Sequence, residues 1–138
     1  MYTYNLVHSD VVSNTLDSGC GSLRDAVECA TDGATITFAI PAMSVITLTT
    51  GEIMINKNLT IVGLGKTDLT ISGNNASRIF HIAAGKNVTL QDMTLINASS
   101  VTDGGAIFAE SNMANLTNLT LENMLPDNNL ENGIPKSL

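Results

Sequence analysis

The chain has 138 residues, 43% apolar and 14% charged, with a net charge of −7, a pI of about 4.4 and a mean hydropathy of +0.19. That length suits one domain with a genuine core, and that hydropathy excludes an acidic disordered polymer. The six basic residues (Arg24, Lys57, Lys66, Arg78, Lys86, Lys136) are scattered, which argues against nucleic acid and anionic membranes as partners, and no apolar run approaches the roughly 18–20 residues of a membrane span.

The opening Met1-Tyr2-Thr3-Tyr4-Asn5-Leu6 has neither the basic region nor the apolar stretch of a signal peptide, so the expectation is a cytosolic chain or one whose signal has been removed. Tyr2 to Val7 and Asp10 to Val12 are β-prone. Asp17-Ser18-Gly19-Cys20-Gly21 is a turn into a helix at about Ser22–Ala30. Ser22 with Asp25 resembles a capping box, and Leu23, Ala26, Val27 and Ala30 lie on one apolar face. Cys20 and Cys29 flank this helix; at about 1.5 Å per residue their Cα atoms stand on the order of 10 Å or more apart, beyond disulfide reach, so free thiols are expected. After the Asp32-Gly33 turn, Ala34 to Ile40 alternates with period two until Pro41 stops it. Val45–Thr49 and Glu52–Asn56 complete a first coil around a break at Gly51.

From Asn58 to Asn123 the sequence repeats itself. Asn58-Leu59-Thr60-Ile61, Asn87-Val88-Thr89-Leu90 and Asn115-Leu116-Thr117 are one phrase. Asp68-Leu69-Thr70-Ile71-Ser72, Met93-Thr94-Leu95-Ile96-Asn97 and Leu119-Thr120-Leu121-Glu122-Asn123 are a second, in steps of about 24 and 26 residues. Such a period marks a solenoid. It predicts an all-β, right-handed parallel β-helix of about four coils: residues 1–33 an N-terminal cap with its helix, 34–124 the coils, and 125–138 a tail or loop anchored by Leu125, Leu130 and Ile134. Stacking would place Leu59, Val88 and Leu116 in one inward column and Ile71, Leu95 and Leu121 in another, with Thr facing outward and Asn97 and Asn123 stacking at corners. The helix face would close the first coil, whereas no comparable lid is visible at the other end.

These residues resemble the N-terminal module of right-handed parallel β-helix surface proteins of bacteria: adhesins, polymorphic outer-membrane proteins and autotransporter-like passengers. The specific part is the turn Asp17–Gly21 followed by Ser22-Leu23-Arg24-Asp25-Ala26-Val27, similar to the Ser-Leu-Arg-Glu-Ala-Ile type of domain. Ala34-Thr35-Ile36-Thr37-Phe38, the segment Ile71–Phe80 and Gly104-Gly105-Ala106-Ile107-Phe108 also fit. The resemblance covers about residues 2–124 and implies a secreted or cell-surface, structural or adhesive role. Members of that family run for many more coils and then carry an anchor, and these 138 residues are expected to correspond to the capping end alone.

Parallel β-helices also act on polysaccharides, through clustered carboxylates, often Ca²⁺, and a neighbouring Arg or Lys. The repeat acids here are Glu52, Asp68, Asp92, Asp103, Glu110 and Glu122. No two are expected at one rung position: Asp92 lies opposite Asn118, Asp68 has no acidic counterpart, and Glu52 reads as an exposed strand residue. A groove of Asp68, Asp92 and Asp103 is the enzyme-class alternative. His8 and His81 lack companions at metal spacing. Ser18 and Ser22 read as turn and cap residues. Gly63-Leu64-Gly65-Lys66-Thr67 lacks the opening glycine and the helix of a phosphate loop. The Asn-x-Thr/Ser triplets at Asn58, Asn75, Asn87, Asn97, Asn115 and Asn118 fit rung corners better than glycosylation acceptors. The rows Thr35/Thr37, Thr47/Thr49, Thr60, Thr70, Thr89, Thr94, Thr117 and Thr120 could form a hydroxyl-and-methyl face for ice or crystalline sugar, although drifting rung lengths spoil a flat lattice.

The expectation is therefore a non-catalytic module with no assigned catalytic, cofactor or metal residues and no cofactor. Its partner would be a second copy docked on an uncapped last coil, with a glycan or surface protein as the further possibility.

Overall fold

The computed structural model describes residues 10–100, 105–111 and 114–123. Within them the period-two alternation becomes β1 (Val11–Val12), α1 (Leu23–Cys29), β2 (Ala34–Phe38), β3 (Ser44–Thr47), β4 (Ile53–Ile55), β5 (Leu59–Val62), β6 (Leu69–Ser72), β7 (Phe80–Ile82), β8 (Val88–Ile96), β9 (Ile107–Ala109) and β10 (Ala114–Glu122). The expectations for Tyr2 to Val7, His8, Asp103 and 125–138 lie outside the described residues.

Every strand pairing is parallel. The pairings sort into three stacks. The first holds β1, β2, β5 and the first halves of β8 and β10; the second holds β3, β6 and the second halves of β8 and β10; the third holds β4, β7 and β9. A chain that visits three stacks in turn and repeats the circuit is a β-solenoid, here of about four turns. Among the described residues α1 is its single helix.

Alternation decides what fills the coil. Side chains of a strand point to opposite faces, so every second residue enters the interior. Ile36, Ile61 and Leu90 form one in-register column and Ile46, Ile71 and Leu95 another, all six at most 1% exposed. Ile53, Phe80 and Ile107 form a third column in the short-stranded stack. No coil can cover its own apolar face, so each depends on its neighbours. Each such side chain contributes on the order of 2 kcal/mol by leaving water.

The second phrase stacks as the sequence predicts: Thr70, Thr94 and Thr120 are in register, as are Ile71, Leu95 and Leu121. The first phrase does so between Leu59 and Val88 but not on the next coil. Val88 pairs with Ala114, and Leu116 lies beside Leu90, two residues further along than expected. A slip of two leaves every side chain on its own face, so alternation alone cannot detect it. The register is set by β8 and β10 running unbroken through the corner, which ties their first halves to their second.

That corner is built in two ways. In β8 and β10 one residue makes it, Asp92 at φ 63° and Asn118 at φ 55°, and Asp and Asn tolerate this left-handed conformation best after glycine. In the coil below, the chain goes round through a loop from Gly63 to Asp68. A Cβ on Gly63 would lie 2.2 Å from the Asp92 carbonyl oxygen, so only glycine lets the two coils approach.

The helix forms at the place the sequence predicts. Ser22 is the N-cap, its Oγ accepting from the Asp25 N–H, and Leu23, Ala26 and Val27 join the buried core. Lys57 Nζ donates to the Glu28 and Ala30 carbonyls at the other end of α1. Cys20 and Cys29 are free thiols. Burial and the Asp25 carboxylate beside it push the Cys29 thiol up. At the far end of the stack the leucines are less covered: Leu116, Leu119 and Leu121 of β10 are half-buried, whereas Leu90, Met93 and Leu95 beneath them are fully buried.

Candidate functional site

The third stack carries the densest chemistry. Met54, His81 and Phe108 stand in register on β4, β7 and β9, facing outward because their neighbours Ile53, Ile55, Phe80, Ile82, Ile107 and Ala109 face in. Glu52 enters from just before β4 and Glu110 from just after β9. His81 Nδ1 lies 2.8 Å from Glu52 Oε2, and His81 Nε2 lies 2.6 Å from Glu110 Oε2. Arg78 Nε donates to Glu52 Oε1 at 2.8 Å, and its guanidinium lies 4.9 Å from the Phe108 ring centroid. The His81 ring meets Phe108 edge-on at 5.1 Å.

A carboxylate only accepts hydrogen bonds, and the imidazole lies between two of them, one at each ring nitrogen. The result is a polar chain joining three successive coils, with its His81 and Arg78 side chains only 14% and 15% exposed. Burial pushes the Glu52 carboxyl up, but the bonds from Arg78 and then His81 outweigh it and hold the group below its usual range. Glu52 is thus not the ordinary exposed strand residue expected from sequence. An inverting glycosidase leaves about 6.5–9.5 Å between two carboxyl groups for water and sugar. Here the imidazole fills the space between Glu52 and Glu110.

The acids singled out in the sequence fare differently. Asp92 lies opposite Asn118 as expected, and its carboxylate accepts from Asn118 Nδ2 at 2.7 Å and from Gln91 Nε2 at 3.2 Å. Those bonds hold it below the usual range. Asp68 lies in the loop just before β6, outside the register that pairs Thr70 with Thr94, Ile71 with Leu95 and Ser72 with Ile96. Glu122 ends β10 in the exposed surface, its strand position matching Ile96. Among the described residues no three His, Cys, Asp or Glu side chains are arranged to hold a metal ion, and no helix is long and apolar enough to cross a membrane.

The Gly63–Lys66 segment is a corner turn. The Gly63 N–H donates to the Gln91 carbonyl and the Gly65 N–H to that of Asp92, and a strand follows. Thr35, Thr60 and Thr89 form one outward column and Thr70, Thr94 and Thr120 run up the second stack. Neither is a flat array: Val62 and Gln91 interrupt the column beside the first, and Thr94 is nearly buried with its hydroxyl donating to the Lys66 carbonyl at 2.7 Å. The asparagines bond from coil to coil, Asn115 Nδ2 to Asn87 Oδ1, Asn118 Nδ2 to Asp92 Oδ1 and Asn123 Nδ2 to Asn97 Oδ1. Asn97 and Asn123 are corner residues, whereas Asn115 sits inside β10.

A second knot binds cap to coil. Arg24 Nε donates to the Asp17 carbonyl, Nη2 to Asp17 Oδ1 and the Gly51 carbonyl, and Nη1 to the Glu52 carbonyl. Asp17 in turn accepts from the Thr49 N–H and the Thr50 hydroxyl. Burial pushes the Asp17 carboxyl up; the bonds from Thr50, Thr49 and Arg24 overcome it and bring the group down to about 2. The arginine that marks the sequence resemblance is therefore the tie between α1 and the first coil.

The polar chain at His81 was legible in one respect. Ile53, Phe80 and Ile107 recur at even spacing, each opening an apolar–x–apolar triplet. The triplets share no other residue, so phrase matching passes over them. Comparisons with protein-family models, with curated proteins and with solved structures found no match to this chain.

Proposed function

We propose that this protein is a non-catalytic structural or adhesive β-solenoid module that associates with a second copy through its last coil. One observation carries the reading: α1 covers the start of the stack, while Leu116 and Leu119 of β10 stay half-buried above fully buried partners. Burying such side chains against a second copy repeats the coil-on-coil contact that holds the rest of the molecule. The resemblance of the Ser22–Val27 segment to surface-protein modules adds the adhesive setting.

Light scattering at micromolar concentration tests it. A mass of two or more chains is expected, reverting to one chain in Leu119→Asp with an unchanged circular dichroism spectrum. Leu116→Glu serves should the first variant fold poorly. A single-chain mass for the unaltered protein over the whole concentration range overturns the proposal.

A further inference from the structure

We propose that the corner where the third stack passes into the first is a binding groove for a neutral, linear, hydroxyl-rich ligand, an extended oligosaccharide lying along the solenoid axis. This is independent of the end-on association above. The groove has a volume of about 600 Å³ and spans three coils, lined by Asn58, Thr60, Asn87, Thr89 and Asn115 together with Gly85. In a chain of net charge −7 these lining side chains are all uncharged. The nearby Asp32 carboxylate is taken by the Asn58 N–H and Nδ2, at 2.9 and 3.1 Å. The lining itself thus offers an ionic ligand no counter-charge; the Lys57 and Lys86 charges flank it and act on Asp32.

The groups that remain are those a sugar needs. Asn58 Oδ1 accepts from the Asn87 N–H, and Asn87 Oδ1 from Asn115 Nδ2. Asn87 Nδ2, Asn115 Oδ1 and the hydroxyls of Thr60 and Thr89 have no partner among the described residues. A hydroxyl both donates and accepts, and the free carboxamide groups include one donor and one acceptor. The matching ligand must offer both kinds of group.

Repetition narrows the ligand further. Thr60 and Thr89 are in register on adjacent strands, about 4.8 Å apart, with Asn58 and Asn87 each two residues before them. The same hydroxyl and carboxamide thus recur on these two coils, and on the next Asn115 stands in register with Thr89. A polymer of pyranose units presents its own hydroxyls at a comparable rise, so successive units meet successive coils, whereas one free sugar engages a single coil. Among the described residues no aromatic ring lines the groove, so the binding is weak and comes from several units acting together. Gly85 has φ 79° and nothing within 4 Å of where a Cβ would sit, so a side chain there would project into open space.

The test is a titration of ¹⁵N-labelled full-length protein with cellohexaose, with glucose and hexagalacturonate as comparisons. Expected are saturable shifts of the Asn58, Asn87 and Asn115 side-chain amides at millimolar cellohexaose, and much smaller shifts with either comparison. Gly85→Asn, which fills the groove with a residue that tolerates positive φ, and the double variant Thr60→Val/Thr89→Val should each weaken binding about fivefold or more. Thr70→Val/Thr120→Val, on the other stack, should leave it unchanged. Absence of saturable shifts, equal shifts with glucose or hexagalacturonate, or unchanged affinity in the folded groove variants overturns the proposal.

Discussion

Arg24 shows how one side chain can decide whether a cap is part of a fold. Its guanidinium reaches four acceptors on two segments, three of them backbone carbonyls. Removing it strands those acceptors and leaves the Asp17 carboxylate, only 12% exposed, without its counter-ion. Arg24→Ala should therefore cost about 3 kcal/mol by urea unfolding, and Arg24→Lys most of that, since an ammonium cannot reproduce the planar fork. Asp17 gives this knot a pH signature. Its folded value of about 2 lies below the ordinary 3.8, so its contribution is complete above that ordinary value and is lost as pH falls toward 2. Urea midpoints of Asp17→Asn should fall less steeply than the parent's across this window. Nothing in the spacing of Asp17 and Arg24 announces the contact, because acceptors at Gly51 and Glu52 are supplied by a later coil.

Among the elements, the three stacks differ in what holds them. The first two have strands of four to nine residues from the second coil onward, and their phrases could be read from sequence because long strands repeat recognisable words. The strands of the third have three residues each and offer little ladder. There the Glu52–His81–Glu110 chain adds a side-chain link across the coils. His81→Gln keeps a donor but cannot reach both carboxylates; it should lower stability by about 1–2 kcal/mol and raise amide exchange in β4, β7 and β9 more than in β5 or β8. Equal acceleration in all stacks would show that the histidine is not a local tie. The chain escaped sequence reading because its members sit before, within and after their strands and meet only through side-chain reach.

For the molecule as a whole, stability is a sum over neighbours, and position along the stack should set the effect of a mutation. Ile36, Ile61, Leu90 and Leu116 occupy one column. Ile61→Ala, covered on both sides, should cost about 3 kcal/mol, and Leu116→Ala in the half-buried last coil about 1 kcal/mol, both by urea unfolding in dilute solution. Solenoid architecture was legible because period and alternation are properties of every coil. The exact register was not, because a shift of two preserves alternation and only the continuity of β8 and β10 removes the ambiguity.

The one-residue corners at Asp92 and Asn118 also decide where this protein can change its length. Between Gly63 and Asp68 an added residue merely enlarges a surface excursion. Added at Asp92 it would turn the second half of β8 inside out, driving Thr94 and Ile96 toward the interior and Met93 and Leu95 into solvent. Insertions can accumulate on the lower coils, while the upper two admit none at that bend.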